Sequence, residues 1–246
     1  MNKHLETFLR REDLGSKIPP YQPSFDFPGT FIDSTHQSLA ETPLKDDILI
    51  QIRNRRWFGR IISGWLRRED ALKLYELSYF AVGDILELGC HHGLSTSILA
   101  RAARCSEHPK HIYTVDLSRP SVKAASRNLR RMGLHQGVTA ICDDAAVAVK
   151  RFASTGKRFG FVFIDHSHTY EAVYDVCREL GNITAAGGFC LFHDFNDVRN
   201  RLPEDKDYGV YEAVMDGLDH DRFEFCGLYG CTALYRAVGA PEGSAG

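Results

Sequence analysis

Acids at the ends of short apolar runs are the residues of this chain best placed to do chemistry. Glu87 falls inside Ile85-Leu-Glu-Leu-Gly89, and Asp116 ends His111-Ile-Tyr-Thr-Val-Asp116. Asp143 and Asp144 end Val138-Thr-Ala-Ile-Cys-Asp-Asp144, Asp165 ends Phe159-Gly-Phe-Val-Phe-Ile-Asp165, and Asp194 ends Gly188-Phe-Cys-Leu-Phe-His-Asp194. One Asp after a strand has an ordinary reading as a helix N-cap. Five such strands in register on one sheet edge build a pocket that draws cationic ligands and repels an anionic dinucleotide. Three histidines, His166, His168 and His193, stand beside the last two acids. They add groups that exchange a proton near neutrality.

The first of these acids belongs to the run Asp84-Ile-Leu-Glu-Leu-Gly-Cys-His-His-Gly-Leu-Ser-Thr96. It reads as a strand, a Gly-x-x-x-Gly turn and a helix from Leu94, the opening unit of a doubly wound α/β sheet. A ligand in such folds sits at the carboxyl ends of the strands, against the helix N-terminus. Glu87 precedes the first glycine by two residues, and His91 stands where a dinucleotide fingerprint has its second glycine. A pyrophosphate wants bare amides and no carboxylate, whereas a ligand with sulfonium and ammonium charges accepts one. The pattern Glu-Leu-Gly-x-x-x-Gly resembles the first motif of the class I S-adenosylmethionine-dependent methyltransferases. Asp116, 23 residues after Gly93, is placed to accept hydrogen bonds from both ribose hydroxyls.

The positioning elements follow from the alternation of patterns. Helical periodicity falls at 94–104, 119–132, 144–153 and 170–181, between the strands named above. Asp46–Arg56 and Arg67–Phe80 also read as helices, the second with Glu69 and Asp70 in its first turn, where acids suit the helix dipole. Trp57 and Trp65, between them, read as core anchors. After Asp194 a polar loop covers 196–207, a helix 208–217, and then 222–226 faces 231–236 as an antiparallel hairpin across Gly-Leu-Tyr-Gly. The expected fold is α/β: a Rossmann-like, doubly wound, seven-stranded sheet with a terminal antiparallel hairpin and an N-terminal helical and irregular extension. Residues 1–60 form an arm and lid rich in proline and aromatics, 61–238 the catalytic domain, and 239–246 a frayed tail.

Composition narrows the partners. A net charge of −2 without a basic stripe argues against nucleic acid. No apolar run approaches membrane-spanning length, and the first residues lack a signal-peptide core. A soluble, cytoplasmic protein with no membrane partner is expected. The seven cysteines contain no Cys-x-x-Cys and read as reduced core residues, so a zinc site built from them is not expected.

Two further segments narrow the resemblance. Phe163-Ile-Asp-His-Ser-His-Thr-Tyr-Glu-Ala-Val173 and Ala186-Gly-Gly-Phe-Cys-Leu-Phe-His-Asp194 resemble the class I methyltransferase family that includes the cephalosporin hydroxylase-like proteins and the sugar and macrolide O-methyltransferases. Gly64–Tyr75 and Asp207–Val214 are similar to that family as well. The resemblance implies S-adenosylmethionine as cofactor, with Glu87, Gly89 and Gly93 at its methionine end and Asp116 at its ribose. Asp143 or Asp144 would meet the adenine amino group, and Asp165 would adjoin the cofactor. His91, in place of a small residue, would narrow the pocket or meet the cofactor carboxylate. The resemblance also implies a divalent cation, magnesium or manganese, on Asp165, His193 and Asp194, and His168 as the base. The expected reaction is O-methylation of a small-molecule hydroxyl. Two other readings stand beside it: a metal-dependent oxygenase using Asp165, His193 and Asp194, and a non-catalytic S-adenosylmethionine-binding partner protein. The arm would serve the acceptor or a homo-oligomer.

Overall fold

A computed structural model describes residues 62, 64–66, 68–202 and 207–238. The arm, the expected helix at 46–56, Trp57 and the tail lie outside the described residues. The described elements run α1 (Arg68–Phe80), β1 (Ile85–Leu88), α2 (Leu94–Cys105), β2 (Ile112–Asp116), α3 (Arg119–Arg131), β3 (Val138–Cys142), α4 (Ala145–Ser154) and β4 (Phe159–Ile164). They continue through α5 (Tyr170–Ile183), β5 (Thr184–Phe192), a 3₁₀ turn (Val198–Arg201), α6 (Val210–Gly217), β6 (Phe223–Tyr229) and β7 (Thr232–Ala237).

The seven strands form one sheet in the order β3-β2-β1-β4-β5-β7-β6. The first five are parallel, while β7 runs antiparallel to β5 and β6 antiparallel to β7. The central strands β1 and β4 are buried at every residue, as expected where helices cover both faces of a parallel sheet. On one face Leu74 and Leu77 of α1 and Ile98 and Leu99 of α2 pack against Phe161 and Phe163. On the other, Val173, Val176 and Leu180 of α5 and Val214 of α6 cover Leu86, Val162 and Phe192. Each such side chain contributes about 1.5–3 kcal/mol by leaving water. The register pairs Val115 with Leu88, Leu88 with Ile164, and Ile164 with Phe192. The acids that follow those residues therefore reach one edge of the sheet together.

Polar groups tie α1 to this frame. The Nζ of Lys110 donates to the carbonyls of Ser78, Tyr79 and Ala81 at 2.8, 2.9 and 2.6 Å. It satisfies carbonyls at a helix end that has no basic residue in its own last turn. Burial lowers its pKa to about 8.

Several boundaries differ from the sequence reading, each for a local reason. β5 begins at Thr184 rather than Gly188, because the register slips between Phe159 and Phe161 and Gly187 takes a φ of +73°. The hairpin turns at Gly230 and Cys231, since β6 runs on to Tyr229 through a bulge at Gly227 with φ +118°. The polar loop after Asp194 contains the 3₁₀ turn, capped by Asp197, whose carboxylate accepts from the Arg199 N–H at 2.9 Å. Trp65 is 78% exposed and is not a core anchor. Cys105 and Cys142 are exposed too, while the other five cysteines are buried as expected. No helix among the described residues is long and apolar enough to cross a membrane.

Candidate active site

A cleft of about 1030 Å³ opens along the carboxyl edge of the sheet. Its two halves are built differently.

The first half surrounds the turn after β1. Gly89 has φ +98°, and a Cβ there would lie 1.9 Å from the Asp165 carbonyl oxygen, so only glycine lets β1 pass the end of β4. His91 follows with φ +41°, and its N–H donates to Asp116 Oδ2 at 2.8 Å. The N–H of Ser118 donates to Asp116 Oδ1, also at 2.8 Å. Two amides thus fix the carboxylate, and each oxygen keeps a lone pair for a ligand hydroxyl. Asp144 caps α4 by accepting from the Val147 N–H at 3.0 Å, and Asp143 pairs with Arg151 at 2.7 Å. Both still line the cleft. His166 lies beside Asp144, and burial, then the neighbouring His168, lowers its pKa to about 4. It is therefore neutral, and its buried Nε2 has no hydrogen-bond partner among the described residues.

Two residues expected in this wall stand elsewhere. Glu87 is fully buried beneath the turn, where its Oε2 accepts from the hydroxyls of Thr96 and Thr114 at 2.5 Å each. Burial raises its pKa to about 7, against the hydrogen bonds from Ser95, Thr114 and Thr96. Gly93, with φ +88°, starts α2 and packs on Ala125. Neither residue reaches the cleft.

The second half gathers side chains around the ends of β4 and β5. His168 Nε2 lies 2.9 Å from Asp194 Oδ2, and its ring stacks on Tyr208 at 4.8 Å and 1°. The Arg199 guanidinium covers the same tyrosine at 3.7 Å and is held by Asp197 through two contacts of 2.8 Å. Asp194 sits at φ +56°, a left-handed conformation that Asp tolerates. Its carbonyl accepts from Asn200 Nδ2 at 2.8 Å, which holds the bend.

His193 occupies the middle. Its Nδ1 lies 3.1 Å from Asp194 Oδ2 and 3.2 Å from Asp165 Oδ1. Its Nε2 points the other way, to Cys231 Sγ at 3.3 Å and Asp70 Oδ2 at 3.5 Å. Asp165 and Asp194, expected to face each other across adjacent strands, therefore have an imidazole edge between them. Their ligand atoms also fall within 4.8 Å of one another and of a His168 nitrogen. Burial alone would depress both histidines. For His168 the Asp194 contact reverses this and raises the pKa. For His193 the charges of Asp165, Cys231 and Asp194 raise it well above the ordinary value. Asp194, also buried, is held low by His193 and His168.

Asp70, Cys231, Arg199 and Trp65 line the cleft without having been expected there. Asp70 and Cys231 lie 161 positions apart. No local pattern announces them, although the Asp197-x-Arg199 pair in the polar loop was a usable signal.

Residues 86–195 match a family model described as a methyltransferase domain. Similar solved structures include an O-methyltransferase from Bacillus cereus in complex with SAH, at 14% identity over 80% of this chain and 91% of that one, TM-score 0.59. Cofactor-bound Rv0187 from MTB matches at 19% identity over 88% and 98%, TM-score 0.57. The O-methyltransferase TomG from Streptomyces achromogenes, involved in tomaymycin synthesis and solved with SAM, matches at 14% identity over 87% and 95%, TM-score 0.54. No curated protein matches the sequence. The terminal hairpin on a doubly wound sheet gives the chain the fold of these structures, and its methyltransferase-domain match runs across the turn after β1 and both acid strands β4 and β5.

Proposed function

We propose that the protein methylates a hydroxyl oxygen of a small molecule, with His168 removing the acceptor proton. The observation that carries this reading is the Asp194–His168 pair at 2.9 Å, on the wall of the same cleft that presents Asp116. Asp194 holds Nε2–H and leaves Nδ1 as the basic nitrogen. The stack on Tyr208 fixes the plane of the ring. Raising the pKa of His168 makes it a stronger base for a hydroxyl that loses its proton as the new O–C bond forms.

The first half of the cleft fits S-adenosylmethionine. Asp116 offers two fixed oxygens to the ribose hydroxyls. The neutral His166, its Nε2 unpartnered beside Asp144, suits the adenine edge. The narrow passage at Gly89 and the bend at His91 would cradle the methionine end. When bound, the cofactor supplies an electrophilic methyl on a sulfonium, so that the S–C bond breaks as the acceptor O–C bond forms. The protein's share is alignment and proton removal.

Asp165 and Asp194, with His168 within reach, would hold a divalent cation such as magnesium or manganese. Such an ion would lower the pKa of a bound hydroxyl. Dialysis against EDTA should then lower turnover, and magnesium or manganese should restore it. A rate indifferent to chelation would leave His168 acting alone.

The direct test is release of S-adenosylhomocysteine over a panel of sugar and phenolic hydroxyl acceptors. Product from at least one hydroxyl acceptor is expected. Turnover only on amines, or on no acceptor at all, would sink the reading. The arm at 1–60 is proposed to complete the acceptor side or a homo-oligomer, and its deletion should spare cofactor binding.

A further inference from the structure

Asp70, His193 and Cys231 come from α1, the end of β5 and the start of β7, and meet at the floor of the cleft. They are 0%, 6% and 4% exposed. Their ligand atoms form a small triangle: Sγ to Nε2 3.3 Å, Sγ to Asp70 Oδ2 3.3 Å, Nε2 to Oδ2 3.5 Å. Zinc bound to sulfur at about 2.3 Å and to nitrogen or oxygen at about 2.0–2.2 Å, in a tetrahedron, sets sulfur about 3.5–3.7 Å from the other two ligands and those two about 3.3–3.6 Å apart. The 3.5 Å edge between Nε2 and Oδ2 matches, and the two 3.3 Å sulfur edges would widen by a few tenths of an ångström on binding.

We propose that these three residues form a zinc site, separate from the Asp165–Asp194 pair and independent of which acceptor is methylated. The donor set is thiolate, imidazole and carboxylate, a combination that favours zinc over magnesium, which prefers oxygen alone. His193 turns its Nε2 toward the other two donors. With Nε2 on the metal side, its Nδ1 faces the carboxylates of Asp194 and Asp165 at 3.1 and 3.2 Å. Nδ1 makes no hydrogen bond to them as placed, yet the carboxylates are near enough to become the outer contact that fixes a ligating imidazole. Asp70 is steadied in turn, because its Oδ1 accepts from the Cys231 N–H at 2.9 Å. On binding, a Zn–S bond forms, and the thiol proton of Cys231 leaves to solvent.

All three residues line the cleft, so a fourth ligand can approach them from there. Three protein ligands and one open position make the arrangement of a zinc that acts on a ligand rather than one that only braces a fold. A water or an acceptor hydroxyl bound there would ionise near neutrality. The ligands are too far apart in sequence to form any Cys-x-x-Cys pattern, which is why the cysteine spacing gave no warning.

The test uses the full chain, loaded with zinc or with cobalt(II) as a coloured substitute. The zinc-loaded protein should hold stoichiometric metal by elemental analysis. The cobalt form should show a thiolate-to-cobalt charge-transfer band, which magnesium-type oxygen sites cannot give. Cys231→Ser should abolish the band, with exposed Cys105 and Cys142 left in place as internal controls. Asp70→Asn should weaken zinc binding by more than the roughly 10–100-fold expected from losing an outer carboxylate. Asp165→Asn, which removes only such an outer contact, should weaken it within that range. A wild-type cobalt form without the band would overturn the proposal, whether or not the variants fold. So would zinc affinity unchanged in both Cys231→Ser and Asp70→Asn. None of these readouts depends on methyl transfer, so failure here leaves the reading of the reaction untouched, and the reverse holds as well.

Discussion

The half of the cleft proposed for the cofactor and the half proposed for the acceptor differ in how far apart their parts lie along the chain. Gly89, His91, Asp116 and Ser118 span one strand–helix–strand unit, and backbone amides do the fixing. The acceptor half draws Asp70, Asp165, His168, His193, Asp194, Arg199, Tyr208 and Cys231 from opposite ends of the domain, and side chains fix side chains. Amide scaffolding tolerates sequence drift, because every residue except proline carries an N–H. A side-chain network fails when one member changes. The half proposed to hold the cofactor is thus built robustly, and the half proposed to hold an acceptor is built from replaceable parts.

Breaking the acceptor half should cost most. His168→Ala should lower kcat by about 10²–10⁴ through loss of the base, while calorimetry shows cofactor affinity unchanged. An unchanged rate would remove His168 from the chemistry. Breaking the cofactor half should invert the pattern. Asp116→Ala should cost about 2–4 kcal/mol of S-adenosylmethionine affinity, from two hydrogen bonds to a charged group. Equal binding in calorimetry would dissociate the second strand's acid from the ribose.

A smaller effect concerns stability beneath the turn. Glu87 keeps its proton in the folded state up to about pH 7, whereas the unfolded chain releases it near the ordinary carboxyl value of 4.5. Its stabilising contribution is therefore fully present below pH 4.5 and is lost as pH rises through about 7. Each unit of the shift corresponds to about 1.4 kcal/mol. Urea midpoints at pH 5 and pH 8 should differ less in Glu87→Gln than in the parent. An identical difference would mean that Glu87 is ionised in the fold. Smallest of all, Tyr208→Leu should remove the ring stack on His168, worth about 0.5–1.5 kcal/mol. The loss should appear in kcat more than in cofactor binding, and a pure rise in cofactor Kd would contradict the positioning role.

Sequence reading reached the sheet because each strand is a contiguous apolar run and each acid follows directly from it. For the same reason it named Gly89, His91, Asp116, Asp143 and Asp144, which line the cleft. It misjudged Glu87 because a strand buried on both faces carries no alternation to say which way a side chain turns. It took Trp65 for a core anchor, since size and apolarity do not distinguish a core from a cleft rim. It passed over Asp70 as a dipole-friendly acid in a helix's first turn, because its partner Cys231 is visible only once β7 lies beside β5.

The three bonds from Lys110 to the end of α1 bear on traffic through the site. Near its other end the same helix is tethered by Asp70 to the Cys231 amide at 2.9 Å. Moored near both ends, α1 holds the floor of the cleft in place. An incoming molecule has to arrive over the rim, where exposed Trp65 stands 5.9 Å from the His91 ring on one bank and Tyr208 lies between Arg199 and His168 on the other. Those two banks, rather than the deep acids, are the parts of the cleft that a passenger meets first.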